Sequence, residues 1–287
     1  MYYEQNGGVV LKESDSFDVK QTLECGQCFR FAHLGDSSCR IVARGRVLDI
    51  TQRNDEIFFS PCGINEFENI WTDYFDLKRD YANIKTILAE DDEVMKKAIE
   101  FGGGIRILNQ DRWETLFSFI VSQNKRIPGI KKIIGDVSAA YGEKIEGYDE
   151  FAFPGPDRLK DATLDDLLKL KTGFRAKYLI DAIDKVVRGE LDLYGMDDFG
   201  TEAIREELTR IKGVGPKVAN CALLFSFGRR ESFPVDTWIK KAMEHFYFNG
   251  EPTPASAIQK FAAEKFGELG GYAQQYLFYY MRETGGK

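Results

Sequence analysis

Residues 211–220 read IKGVGPKVAN, a turn with two glycines followed by what looks like the start of a helix. Gly213 and Gly215 let the backbone adopt conformations closed to other residues, so the turn's amides can approach a surface closely. Pro216 suits the first position of the following helix, whose unpaired N–H groups attract phosphate oxygens. The stretch therefore predicts two helices joined by a tight hairpin that can hold a nucleic-acid backbone independently of base sequence.

Lys217 lies in the first turn of the second helix, where the positive end of the helix dipole disfavours a charged amine. This position suits a nucleophilic amine better than a structural lysine. An amine that attacks a sugar carbon needs a carboxylate nearby, and Asp236 in FPVD (233–236) offers one. The helix from Lys217 is about 16 Å long, and residues 228–235 span at most about 26 Å, so the chain can bring Asp236 back to Lys217. Asp236 also suits the N-cap of the next helix, and both roles can hold together.

The composition of the 287-residue chain, with 43% hydrophobic and 30% charged residues, is that of an ordinary globular protein. The five cysteines form no second close pair, so neither a disulfide framework nor a four-cysteine zinc site is indicated. With no signal peptide and no long apolar run, a cytoplasmic protein and no membrane contact are expected. The net charge of −7 argues against a polyanionic partner on average, but positive residues bunch locally, for example at Lys125 and Arg126.

The pattern changes along the chain. Residues 1–103 carry short β-prone runs, at 28–34, 39–52 and 55–61, and then a helical stretch around 66–99. The glycines at 102–104 mark a boundary, and residues 104–287 read as helical throughout. The predicted fold class is therefore α+β, with an N-terminal antiparallel β-sheet domain followed by an all-helical body. The helices of that body are predicted near 112–121, 128–141, 163–171, 175–187, 201–210, 216–227, 236–247, 254–266 and 271–283.

The sequence GVGPKVANC, followed by PVD, resembles the helix-hairpin-helix (HhH-GPD) DNA glycosylases, and specifically the 8-oxoguanine DNA glycosylase/AP lyase family. The resemblance implies a base-excision DNA repair enzyme whose partner is double-stranded DNA containing 8-oxoguanine. Such an enzyme flips the damaged base out of the duplex, excises it through a lysine Schiff base and cleaves the strand by β-elimination. Lys217 and Asp236 would then be the catalytic pair, Gly213 and Gly215 would contact DNA phosphates, and a monomer is expected.

The resemblance extends over nearly the whole chain and implies three further groups of residues. Four residues would bind the flipped base: Gly26, Cys221, Gln274 and Phe278. The carbonyl of Gly26 would accept the N7 proton that 8-oxoguanine has and guanine lacks. Asn124 would fill the gap in the duplex, while Phe174 and Arg175 would form a wedge beside the orphaned base. Backbone carbonyls of Thr209, Ile211 and Val214 would hold a metal cation; no organic cofactor and no iron-sulfur cluster is expected.

Three departures from the family pattern concern the strand opposite the lesion. The family's cytosine-reading arginine is missing from the segment Ile127–Gly129, and Arg126 comes earlier. Phe174 replaces the usual wedge tyrosine, and Trp238 replaces a histidine expected two residues after the aspartate. We therefore expect weaker discrimination for cytosine opposite the lesion.

Two alternatives remain open from the sequence. The same fold can excise another purine lesion, such as an alkylated base, or the hairpin can belong to a non-catalytic DNA-binding module. His33 and His245 show no metal-binding or triad pattern and receive no role.

Overall fold

The N-terminal part of the chain is built on one six-stranded antiparallel sheet, in the order β1-β2-β6-β5-β4-β3. The structure is a computed structural model that describes residues 1–12 and 16–286. The three predicted β-prone runs are confirmed, and the sequence missed the first hairpin, β1 with β2. The strands are β1 (Tyr2–Gln5), β2 (Gly8–Lys12), β3 (Phe31–Gly35), β4 (Ser38–Ala43), β5 (Arg46–Arg53) and β6 (Glu56–Ser60).

Helices make up the rest of the chain, as predicted, and most begin and end within one or two residues of their expected bounds. They are α1 (Val19–Glu24), α2 (Ile64–Glu66), α3 (Thr72–Tyr74), α4 (Tyr81–Ala89), α5 (Glu93–Gly102), α6 (Arg112–Ser122), α7 (Ile127–Tyr141), α8 (Pro156–Leu159), α9 (Leu164–Lys169), α10 (Ala176–Val187), α11 (Thr201–Thr209), α12 (Pro216–Ser226), α13 (Thr237–Tyr247), α14 (Ala255–Phe266) and α15 (Gly270–Thr284). Single turns of π-helix (Phe67–Trp71) and 3-10 helix (Gly173–Arg175, Gly267–Leu269) adjoin α2, α10 and α15.

The helical stretch expected around 66–99 is present, and aspartates start separate helices within it. Asp80 caps α4 by accepting the N–H of Asn83, and Asp92 caps α5 by accepting those of Val94 and Met95. A side-chain oxygen at the N-cap satisfies amides that a continuous helix would have bonded internally. At the start of α9, Thr163 and Asp166 form a capping box, in which each side chain bonds the backbone N–H of the other residue.

Two hydrophobic clusters hold the molecule together. One lies against the sheet and includes Trp71 and Leu108, while the other fills the helical body. α4 and α5 precede residue 103 yet contribute Tyr81 and Met95 to the helical cluster. The division of the chain at residue 103 stays a prediction.

A buried glutamine fixes the loop that follows α1. Gln27 is fully buried, and its side-chain amide donates to the carbonyls of Thr22 and Arg106 and accepts the N–H of Leu108. These bonds connect the loop to the segment that links the two hydrophobic clusters. Because Gln27 is anchored, the preceding Gly26 is held at a defined place with a φ of 81°, a conformation that favours glycine.

Candidate active site and DNA-binding face

Lys217 lies at the second position of α12, as predicted, and its side chain crosses to the end of α6. Its Nζ donates to Ser122 Oγ at 3.2 Å and lies 5.0 Å from the centre of the Phe119 ring. Ser122 Oγ in turn donates to the Phe119 carbonyl at 2.8 Å, which leaves its lone pairs to accept from the lysine. The amine is therefore held in one place by a hydroxyl and an aromatic face.

Asp236 caps α13 and faces the same space as Lys217, as the length of the connecting chain predicted. Its Oδ1 accepts the N–H of Ile239 at 2.8 Å. Burial raises the pKa of Asp236, against the lowering effects of that hydrogen bond and of the Lys217 charge. The N-cap role is confirmed, and the carboxyl is at once a structural cap and a partly desolvated acid beside the lysine.

A cleft of about 840 Å³ opens over this pair. Its walls come from the loop 122–128, the start of α13 and the last helix, α15. Four cationic side chains line it, against one carboxylate: Lys125, Arg126, Lys217, Arg282 and, as the acid, Asp236. A cleft with this excess of positive charge suits the phosphates of a nucleic acid.

The four residues predicted to bind the base meet in a smaller pocket behind the cleft. Gly26, Cys221, Gln274 and Phe278 line it together with Lys217 and Asp236. Burial raises the pKa of the Cys221 thiol to about 11, against the lowering effect of Lys217, so the thiol is neutral at neutral pH. The structure thus brings together residues from four separate parts of the chain.

This inner pocket is closed in the free protein. Its volume is about 50 Å³, whereas a cavity that admits benzene measures about 150 Å³. The Phe278 ring lies directly on Gly26, since a Cβ added to that glycine would come within 3.0 Å of the ring. A purine can occupy the pocket only after Phe278 moves.

The hairpin between α11 and α12 has the predicted geometry. Gly213 has a φ of 76°, and a Cβ there would lie 2.4 Å from the Tyr178 ring on α10. The N–H of Lys212 donates to Asp181 on the same helix at 2.8 Å. Gly215 is different, because a Cβ at this residue would meet nothing within 4 Å. α10 therefore supports one side of the hairpin and leaves the amides near Gly215 open to a partner.

Of the predicted gap and wedge residues, Asn124 lines the cleft, and Arg175 is hydrogen-bonded to its carbonyl. Asn124 is exposed and has a φ of 49°, and Phe174 is exposed over half of its surface. Arg175 differs from the expectation that it lies beside the orphaned base: it is 4% exposed, and its guanidinium donates to the carbonyls of Gln123 and Asn124. These two carbonyls of the tight loop thus accept the hydrogen bonds of the Arg175 guanidinium within the protein. Arg175 therefore connects the segment of Phe174 to the loop of Asn124, and its role beside an orphaned base stays a prediction.

The segment that departs from the family pattern forms the start of α7. Gly129 lies against the stem of Lys125, whose Cγ would be 3.2 Å from an added Cβ. Trp238 is partly exposed and lines the cleft, with Lys241 Nζ 5.4 Å from its ring centre.

Sequence reasoning missed Ser122, Phe119 and Arg282, all of which line the cleft. Ser122 and Phe119 are ordinary helix residues, and only the crossing of α6 and α12 brings them to Lys217. Arg282 lies four residues after Phe278, so its helical spacing offered a signal that the sequence analysis did not use.

Comparison with known proteins agrees with this geometry. The family model "8-oxoguanine DNA glycosylase, N-terminal domain" matches residues 9–116, and "HhH-GPD superfamily base excision DNA repair protein" matches residues 117–267. A protein of Methanothermobacter thermautotrophicus described as "Probable N-glycosylase/DNA lyase" is 30% identical over 233 residues, covering 74% of this chain and 73% of that protein.

Two solved structures are similar over nearly the full length. MBOgg1 in complex with a low-affinity DNA ligand is 45% identical with a TM-score of 0.95, over 99% of both chains. The 8-oxoguanine glycosylase/lyase of Clostridium acetobutylicum, in complex with DNA containing cytosine opposite 8-oxoG, is 41% identical with a TM-score of 0.95, over 99% of this chain and 98% of that one.

The family model and the relatives place the chain in the helix-hairpin-helix class of base-excision DNA repair enzymes, as an N-glycosylase and DNA lyase. The two matching family models together span residues 9–267. The chain belongs to the 8-oxoguanine DNA glycosylase family.

Proposed function

We propose that this protein removes 8-oxoguanine from duplex DNA and then cleaves the strand, with Lys217 as nucleophile and Asp236 as its carboxylate partner. The observation that carries the proposal is that Lys217 and Asp236 line both the cationic cleft and the inner pocket behind it. A nucleotide flipped into the inner pocket would place its C1′ atom between the two side chains. Within residues 1–12 and 16–286, no helix is both long and apolar enough to cross a bilayer.

The proposed chemistry assigns one task to each group. Lys217 Nζ, after it gives up the proton of its ammonium form, attacks C1′ as the bond to the base nitrogen breaks and the departing base takes up a proton; the Asp236 carboxylate stabilises positive charge on the sugar. The C1′–O4′ bond of the resulting aminal then breaks, O4′ takes up a proton, and a Schiff base forms between Nζ and C1′. Loss of a proton from C2′ then expels the 3′ phosphate, which cuts the strand by β-elimination.

Recognition of the lesion is proposed to use Gly26, with Cys221 and Phe278 on the two faces of the base and Gln274 on its Watson-Crick edge. The N7 proton of 8-oxoguanine donates to the Gly26 carbonyl, whereas the N7 lone pair of guanine repels it. Gln274 is buried, and its Oε1 accepts from Gln275 Nε2 at 2.7 Å, which leaves its own amide protons for the base.

A cation at the hairpin remains part of the proposal, with the carbonyls of Thr209, Ile211 and Val214 as ligands. Carbonyl oxygens suit hard cations. The Ile211 carbonyl accepts the N–H of Val214 at 3.0 Å and keeps a second lone pair for an ion. Across the part of the chain that the structure describes, no three His, Cys, Asp or Glu side chains gather in a way that would hold a metal. No organic cofactor and no iron-sulfur cluster is proposed.

Excision by the variant Lys217→Gln tests the proposal. At saturating enzyme, we expect excision of 8-oxoguanine to fall by at least about a thousandfold, since the nucleophile is gone, while lesion DNA is still bound. Lys212→Gln removes a positive charge from the hairpin outside the cleft and serves as the matched control, with excision retained. Excision by Lys217→Gln at the parent rate would contradict the assignment.

Faster excision of an alkylated purine than of 8-oxoguanine by the parent protein would favour the alternative substrate.

A further inference from the structure

Arg282 on α15 is a mostly buried cation that lines the cleft together with Gly26 and Phe278, which also line the inner pocket. Its Nε and Nη2 both lie 2.7 Å from Glu283 Oε1, so two of its three nitrogens are engaged by one carboxylate. Its Nη1 is buried and has no hydrogen-bond partner. A buried donor without a partner costs free energy in the free protein, which makes this atom a candidate for a ligand contact.

The position of Nη1 identifies the part of the ligand that it can reach. It lies 3.8 Å from where a Cβ on Gly26 would be, and the guanidinium is 5.3 Å from the centre of the Phe278 ring. Nη1 is thus beside Gly26 and next to the ring that a base must displace. When Phe278 moves, Gly26 and Arg282 become accessible to the base together.

Until Phe278 moves, no neighbouring group among the described residues accepts a hydrogen bond from Nη1. Cys25 is the adjacent titratable group, but burial raises the pKa of its thiol to about 12, so it carries no negative charge at neutral pH. Glu283 already accepts from the other two nitrogens. Tyr279, whose ring centre lies 5.5 Å from the guanidinium, presents a π-face and not an acceptor oxygen.

The chemistry of the lesion offers the missing acceptor. 8-oxoguanine differs from guanine at two adjacent atoms: N7 carries a proton, and C8 carries a carbonyl oxygen in place of a hydrogen. A site that reads both differences needs an acceptor and a donor side by side, which are the Gly26 carbonyl and a neighbouring N–H group. We propose that Arg282 Nη1 donates to O8 of the flipped base and is the second specificity-determining contact for the lesion, an inference that rests on the proposed function. With guanine in the pocket, the same donor would face C8–H and stay unpaired.

The test compares Arg282→Leu with the parent on three duplexes, under single-turnover conditions with saturating enzyme. The first contains 8-oxoguanine, the second 8-thioguanine, which keeps the N7 proton but has a poorer acceptor at C8, and the third an abasic site. We expect excision of 8-oxoguanine to fall about ten- to a hundredfold, the range for a charged hydrogen bond. The abasic site has no O8, so it cannot lose this hydrogen bond. Borohydride trapping on it should therefore fall less than about threefold. The parent should prefer the oxygen over the sulfur lesion, and Arg282→Leu should lose most of that preference.

Two further variants serve as controls. Arg282→Lys keeps a donor and should recover part of the excision rate, while Arg188→Leu, at an exposed position outside the cleft, should match the parent. Trapping on the abasic site also reports that the variant is folded. Equal losses on 8-oxoguanine and on the abasic site would overturn the inference and assign Arg282 to a DNA phosphate; no loss on 8-oxoguanine would overturn it outright. If the parent itself fails to excise 8-oxoguanine, the proposed function fails first, and this is seen before any variant is compared.

Discussion

The two sides of the cleft differ in how their side chains are held. On the side of the inner pocket, Lys217 Nζ donates a hydrogen bond to Ser122 Oγ, and Asp236 Oδ1 accepts one from the N–H of Ile239. On the side of the opposite strand, Asn124 and Phe174 are exposed. Under the proposed function, excision would depend on half-buried groups that hydrogen bonds hold in place, whereas reading of the opposite base would be left to exposed side chains.

Asp236→Asn is expected to have the largest effect. Loss of the carboxylate should lower the single-turnover excision rate about 10²- to 10³-fold, as expected for removal of one electrostatic stabiliser. Asparagine caps helices as well as aspartate does, so α13 should keep its start. Excision within about threefold of the parent, a much smaller change than removal of such a group causes, would show that the carboxylate is a cap alone.

Thermal unfolding of the same variant checks that the loss is chemical. Since burial raises the pKa of Asp236 above its unfolded value of about 3.9, the carboxyl contributes stability that is fully present below that value and lost as pH rises through the folded pKa. Asp236→Asn should therefore unfold at the same or a higher temperature than the parent at pH 7, and this advantage should disappear below about pH 4. A clearly lower unfolding temperature at pH 7 would contradict the direction of the shift.

The pH dependence of excision gives a second measure of the same carboxyl. Asp236 must be ionised to stabilise the sugar cation, and its raised pKa moves protonation to higher pH. The acid limb of the excision rate should therefore lie above the usual aspartate value of about 3.9, with a tenfold fall per pH unit below the folded pKa. An acid limb at or below the usual value, measured with 8-oxoguanine and saturating enzyme, would count against burial as the dominant influence.

Gly213→Ala changes the hairpin and leaves the residues that line the cleft unchanged. A Cβ at this residue meets the Tyr178 ring and requires the strained left-handed conformation, so the hairpin must shift. Affinity should fall about tenfold for damaged and undamaged duplex alike, since these contacts do not read bases. Gly135→Ala, at an exposed position of α7 outside the hairpin, is the matched control, because its Cβ would enter open space. A loss confined to lesion-containing DNA would contradict the assignment of the hairpin to phosphates.

Gly129→Arg addresses the opposite-strand side and should have the smallest effect. The parent should excise 8-oxoguanine at comparable rates opposite all four bases. The new side chain would displace the flexible Lys125 stem and supply a base-reading donor, which should raise the preference for cytosine about fivefold. Gly129→Leu controls for bulk. A strong cytosine preference in the parent protein would overturn the hypothesis of relaxed discrimination.

Much of the fold followed from local sequence signals, and the exceptions are informative. Pro216 and the Thr163–Asp166 capping box mark helix starts directly, because the relevant groups are close in sequence. The first β-hairpin was missed, and Asp80 and Asp92 divide a stretch that periodicity alone joined. For the site, the family resemblance named residues that the structure brings into one pocket. Their roles remain proposals.

What the sequence could not show depends on contacts between distant segments. Ser122 contacts Lys217 across 95 positions, and Gln27 orders Gly26 through bonds to residues near 106. The family resemblance placed Arg175 beside the orphaned base together with Phe174, whereas the structure shows its guanidinium donating to the carbonyl of Asn124. Nothing in a local pattern distinguishes an arginine that faces DNA from one that binds backbone carbonyls.

The most direct test of the account is to trap the reaction intermediate and locate it in the chain. The protein is incubated with a duplex that contains 8-oxoguanine in the presence of borohydride, and the adduct is digested and analysed by mass spectrometry. The account predicts a covalent adduct on the peptide that contains Lys217, absent from Lys217→Gln. An adduct on another amine, such as Lys125 in the same cleft, or excision without any adduct would contradict it.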